Sequence, residues 1–133
     1  MDVTVFAAVL GVARVLIGLG PILAPDPLAR LFGFPATHIT PTMRLFARLF
    51  GIRDLGLGAL IFLTLKDPKL LGFSLLFNAA HDVLDAAAIC VPLLKGQGIQ
   101  RPAKAFLAFS FSGIVTYTLA WWWVSHGAAP HLP

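Results

Sequence analysis

The chain has 133 residues, of which 58% are hydrophobic and 12% charged, with 10 Lys and Arg set against 6 Asp and no Glu. Ordinary globular chains carry roughly a quarter charged residues, so at a mean hydropathy of +0.85 there are too few charges to cover a soluble domain. The formal charge of +4 is dispersed, which excludes the clustered basic face of a nucleic-acid binder. Basic loops against anionic lipid headgroups account for it.

About 20 mostly apolar residues cross a hydrocarbon core, and four stretches meet that length, at about 3–24, 43–65, 69–94 and 103–124. The first closes at Pro25-Asp26-Pro27. It lacks a basic leading region and carries Arg14 in its middle, so it reads as a retained span rather than a signal peptide. Between the first two spans, the segment from Pro27 to Phe34 predicts a short interfacial helix, with Leu28, Leu31 and Phe32 inward and Arg30 toward water. The second span follows Thr40-Pro41 and the third opens on Asp67-Pro68, each an N-cap with proline in the first turn. The short Lys66–Lys69 turn makes these two antiparallel neighbours. The fourth span starts near Pro102 and ends in Trp121-Trp122-Trp123, an aromatic cluster suited to the membrane–water interface. The expected fold is therefore all-α, a four-transmembrane-helix antiparallel bundle forming a single integral membrane domain over residues 1–133.

The connections after the first and third spans, with the adjacent helix ends, hold Arg30, Arg44, Lys95, Arg101 and Lys104, against Lys66 and Lys69 on the other side. The positive-inside rule then places the first and third loops in the cytoplasm and both termini outside or in a lumen.

Inside the spans stand residues that lipid should reject. Arg14 lies in the first, Arg48, Arg53 and Asp54 in the second, and Asn78, His81, Asp82 and Asp85 in the third. A charge at the bilayer centre costs about 2.5–3.5 kcal/mol even on lenient scales, so these groups are expected to face one another. Arg48, about one turn from the interface, can snorkel and stays outside the site. At about 1.5 Å rise per residue, Arg14, Arg53, Asp54, Asp82 and Asp85 reach one height, where the fourth span offers Ser110, Ser112, Thr116 and Tyr117. One polar chamber near mid-bundle accounts for them all. Asn78, Asp82 and Asp85 share a helix face at i, i+4 and i+7, and His81 reaches Asp85 at i+4. The glycines nearby, Gly18 and Gly20, then Gly51, Gly56 and Gly58, let helices approach closely. Arg followed by Gly-Leu-Gly and then Asp-Pro recurs in the first two spans as a weak internal echo.

Two carboxylates in unlike environments can serve as acid and base. The expected roles are Asp82 and Asp85 as acid and base, Arg53 or Arg14 as electrostatic partner, Asp54 beside them, and His81 as orienter or proton shuttle. Asn78, Ser112, Thr116 and Tyr117 would contact a lipophilic substrate entering from the bilayer. Hydration, epoxide opening, cyclisation and isomerisation all suit this set. The competing reading makes the same charges a bundle lock in a non-catalytic binding or assembly subunit, or in a proton-coupled carrier that would need a homo-oligomer. His81-Asp82 is not a recognised ligand spacing for a metal. No phosphate loop, nucleophile elbow or haem motif occurs, so no cofactor is expected. Cys90 reads as an inert buried thiol, and His38, His126 and His131 as exposed.

The run from Arg14 to Gly33, with Arg48-Leu-Phe-Gly-Ile-Arg-Asp-Leu-Gly-Leu-Gly58, resembles small four-helix membrane proteins of uncharacterised function in fungi and bacteria. Some small membrane proteins of similar size belong to fungal secondary-metabolite gene clusters; the resemblance imports no activity and carries over no catalytic residue.

Overall fold

The computed structural model describes residues 2–97 and 99–127. They form α1 (Val3–Leu23), α2 (Pro25–Leu31), a single 3-10 turn at Ala36–His38, α3 (Pro41–Thr64), α4 (Pro68–Leu94) and α5 (Gln100–Gly127), with no strand among the described residues. His131 lies outside them. The capping residues do what their chemistry dictates. Asp2 accepts from the Thr4 amide at 3.0 Å, Thr40 from Met43 at 3.2 Å, and Asp67 from Lys69 and Leu70 at 2.8 and 3.1 Å.

Among the described residues, three helices, α1, α4 and α5, are long and apolar enough to cross a membrane, where the sequence suggested four. α3 has 24 residues but carries Arg44, Arg48, Arg53 and Asp54, and these charges keep it out of that set. Charged side chains are buried in the bundle while many large apolar ones face outward. Arg14, Asp54 and Asp82 are 6%, 1% and 4% exposed, whereas Leu63 and Leu16 are 81% and 62% exposed. A water-soluble core sorts them the other way.

α2 forms where the interfacial helix was expected, but two residues earlier. Leu28 and Phe32 are half-buried and Arg30 is exposed, but Ala29 is the residue that is buried and Leu31 is 77% exposed. Arg44 of α3 donates to both Asp26 carboxylate oxygens, at 2.7 and 2.8 Å, and so ties α2 to α3.

The helices pack as two close pairs, α1 with α3 and α4 with α5; the sequence neighbours α3 and α4 touch much less. The first pair meets along glycines. A Cβ on Gly18 would come within 2.6 Å of the Gly51 carbonyl oxygen, and one on Gly58 within 3.0 Å of the Gly11 carbonyl oxygen. Gly11 against Gly58 and Gly18 against Gly51 is an antiparallel register bracketing Arg14 and Asp54. α3 and α4 are linked more sparsely, by Thr64 Oγ1 donating to Ser74 Oγ (3.0 Å) and Asn78 Nδ2 donating to the Leu57 carbonyl (3.4 Å).

Apolar packing fills one end of the bundle. Ala7, Ile61, Leu71, Leu75, Ala79, Tyr117, Ala120 and Val124 form a continuous buried cluster beside the α3–α4 connection. Toward the α2 end the packing gives way to cavities.

Candidate functional site

Between the packed end and the hollow end lies a layer of charge drawn from three helices. Arg14 Nη1 of α1 donates to Asp82 of α4, at 2.7 Å to Oδ1 and 3.0 Å to Oδ2. Arg53 of α3 donates through Nη1 and Nη2 to the two oxygens of Asp85, both at 2.7 Å, a bidentate fork. These two ion pairs join the α1/α3 pair to α4, across the interface where backbone packing is thinnest. Asp54 is held less directly. Its Oδ1 lies 3.0 Å from Arg14 Nε, yet that N–H makes no hydrogen bond, and 3.5 Å from Arg53 Nη2. Three carboxyl groups thus share two guanidinium groups, and Asp54 has no arginine fork of its own.

The arginines also rest on aromatic rings. The Arg14 guanidinium lies 5.6 Å from the centroid of Tyr117, and that of Arg53 lies 4.5 Å from Phe50, both within cation–π range.

A cavity of about 420 Å³ opens against this layer. Arg14, Asp54, Asp82 and Asp85 supply its charged wall, Ser110, Ser112, Thr116 and Tyr117 its uncharged polar groups, and Ile17, Phe50, Ile89, Phe106 and Phe109 much of its apolar wall. Gly113 gives the Asp82 carboxylate its room, since a Cβ there would collide with Oδ2. On the α1 and α5 rim, Ile17 and Phe109 are 39% and 50% exposed, so the cavity opens sideways between these two helices. Ser112 and Thr116 donate their hydroxyl hydrogens to their own helix, at 2.8 Å to the Phe109 and Ser112 carbonyls. What they offer a ligand is therefore acceptor lone pairs.

Several residues singled out from the sequence sit elsewhere. His81, half-buried, donates through Nδ1 to the Phe77 carbonyl (3.1 Å), packs edge-on against the Phe77 ring and does not line the cavity. Its i+4 spacing to Asp85 put it on a nearby face, but a carbonyl one turn back captures the ring. Asn78 is fully buried beside α3, donating to the Ser74 (2.9 Å) and Leu57 carbonyls, and also lies outside the cavity. Arg53 approaches from behind Asp85. His126 stacks on Trp122, and His38 is exposed. Among the described residues no three His, Cys, Asp or Glu side chains gather to hold a metal. Phe50, Phe106 and Gly113 were not legible as site residues, although Gly113 is a small residue at the height of Asp82, and such a position is the signal to look for.

The fold and this layer define an all-helical chain with apolar helices compatible with a small membrane protein. More particularly, the chain belongs to the family described as Domain of unknown function (DUF4267), which matches residues 11–124. No curated protein and no solved structure matches it.

Proposed function

We propose that this protein is a membrane-embedded enzyme that binds a lipophilic small molecule through the side of the bundle and acts on it by acid–base chemistry. The carrying observation is the unequal treatment of three carboxyl groups on one cavity wall: Asp82 and Asp85 each receive two short hydrogen bonds from an arginine, and Asp54 receives none of that quality. Carboxyl groups in unlike settings divide into acid and base. In this reading Asp54 starts protonated and gives its proton to the ligand, Asp82, ionised against Arg14, receives the proton leaving a second ligand atom, and after release Asp82 loses that proton to solvent while Asp54 regains one from it. Proton in and proton out leave the atoms of the ligand unchanged in number, as isomerisation or cyclisation requires. Hydration or epoxide opening adds a water, which the free lone pairs of Ser112 and Thr116 would hold. The secondary-metabolite setting suggested by sequence resemblance fits such a substrate.

The reading includes α3 as a fourth span. At about 1.5 Å per residue its 24 residues reach about 36 Å, and of its four charges Arg44, Arg53 and Asp54 have partners within the protein. Arg48 alone faces outward, near the end, where it can snorkel. With four spans the first and third loops, richer in Lys and Arg, face the cytoplasm.

A second reading has one specific observation behind it. The ion pairs tie α4 to both members of the other helix pair, Arg14–Asp82 from α1 and Arg53–Asp85 from α3, where helix packing is sparse and a lock would be useful, so the protein would be a non-catalytic binding or assembly subunit, or a proton-coupled carrier working as a homo-oligomer. The test is deuterium uptake. Apolar compounds extracted with the purified protein are returned to it in D2O-buffered lipid nanodiscs and analysed by mass spectrometry. Acid–base turnover puts solvent deuterium into a bound compound with wild type and not with Asp54→Asn. Equal labelling with both, or none with wild type, contradicts the enzyme reading.

A further inference from the structure

A second cavity of about 360 Å³ lies under α2, walled only by apolar side chains that include Pro21, Leu28, Ala29, Met43 and Phe46. It shares one residue with the charged cavity: Phe106 lines both. The Phe106 ring stacks on Phe32, the residue that caps α2, with centroids 4.6 Å apart and planes 22° apart, and its other neighbours include Phe50 of α3 at 6.5 Å. Its ring is held by aromatic contacts, and as the one residue common to both linings it is the side chain whose movement would join the two spaces.

From this juxtaposition we infer that the ligand of the charged cavity carries a single flexible hydrocarbon chain, which passes Phe106 and lodges in the apolar cavity under α2. The inference rests on the ligand-binding part of the proposed function and adds the substrate class: an elongated single-chain lipid, with its polar or reactive end at Asp54 and Asp82. A flexible chain is the shape that can pass the Phe106 ring common to both linings, which a rigid polycycle cannot bend around. The second cavity supplies no polar side chain, so it selects for hydrocarbon and contributes to binding in proportion to the apolar surface it covers. Remote binding of this kind is what an enzyme uses to hold the reacting end in place.

Photolabelling tests it without turnover. Two hexadecanol probes, one with a diazirine beside the hydroxyl group and one with a diazirine at the terminal carbon, are irradiated with the protein in nanodiscs, and the labelled peptides are mapped. The hydroxyl-end probe is expected to label the chamber around Asp82 and Ser112. The terminal probe is expected to label residues 25–34 and 43–47. Filling the far cavity with Ala29→Phe or, independently, Ala47→Leu should abolish the terminal label and leave the hydroxyl-end label. Terminal labelling confined to the rim at Ile17 and Phe109, or unaffected by either filled variant, overturns the inference while leaving the proposed site standing. Absence of hydroxyl-end labelling in the chamber overturns both.

Discussion

On either side of the Arg14–Asp82 pair the same four long helices behave differently. Toward the α3–α4 connection, small and branched side chains such as Ala7, Ile61, Leu75 and Ala120 leave the helices in contact, each fully buried. Toward α2, the larger side chains Phe50 and Phe106 stand between helices, with Phe109 at the rim, and enclose space around themselves. Close packing is the ordinary condition of a protein interior, so it is the hollow half that asks for an explanation, and a ligand supplies one. The charged layer is the floor of the hollow half as much as the ceiling of the packed one.

The comparison breaks most severely at the layer. Arg14→Met leaves Asp54 and Asp82 without their shared cation in a buried setting, and removing one partner of a buried pair typically costs about 3–5 kcal/mol. Thermal unfolding in mild detergent should fall steeply, or the variant should fail to accumulate.

Smaller effects distinguish the two halves. Ala79→Leu adds volume to the packed cluster, where overpacking costs about 1–3 kcal/mol. Ala88→Leu adds the same volume to the cavity wall and should stay within about 0.5 kcal/mol of wild type, as substitutions away from packed features do. Equal losses in the two variants would mean that the hollow half is as tightly filled as the other.

The smallest effect lies outside the spans, at α2. Hydrogen bonds from Arg44 hold the Asp26 carboxyl below its usual range. A carboxyl whose value is lowered by docking contributes stability above its undocked value and loses it as pH falls through the docked value. Acid should therefore release α2 from α3, read as faster amide exchange across residues 25–34 at low pH. Asp26→Asn should remove that pH dependence without altering the melting of the bundle.

Much of this was legible in the sequence for a physical reason. Proline and aspartate mark helix starts chemically, so α3 and α4 begin within two residues of their expected positions, and the charges within apolar helices could be expected to meet one another because a buried charge needs a partner of opposite sign. Which helices pair closely was not legible. Joining α1 to α3 depends on Gly11 meeting Gly58 and Gly18 meeting Gly51, a register that appears only once the helices are laid antiparallel; chain adjacency pointed instead to α3 and α4. Side-chain direction was the other loss. His81 and Asn78 lie on faces near Asp82 and Asp85, but local carbonyls at Phe77 and Ser74 claim their polar atoms, and spacing alone cannot foresee such capture. The cavities escaped because a void is a property of four helices at once.

The most direct test of the account is the thermal stability of wild type, Asp54→Asn and Asp82→Asn, each purified in the same mild detergent. With Asp54 the carboxyl without an arginine of its own, Asp54→Asn melts at or above the wild-type temperature and Asp82→Asn, which takes from Arg14 its charged partner and one of its two acceptor oxygens, melts well below it. Equal destabilisation by the two substitutions would make the whole layer a structural lock and contradict the assignment of a functional site to it.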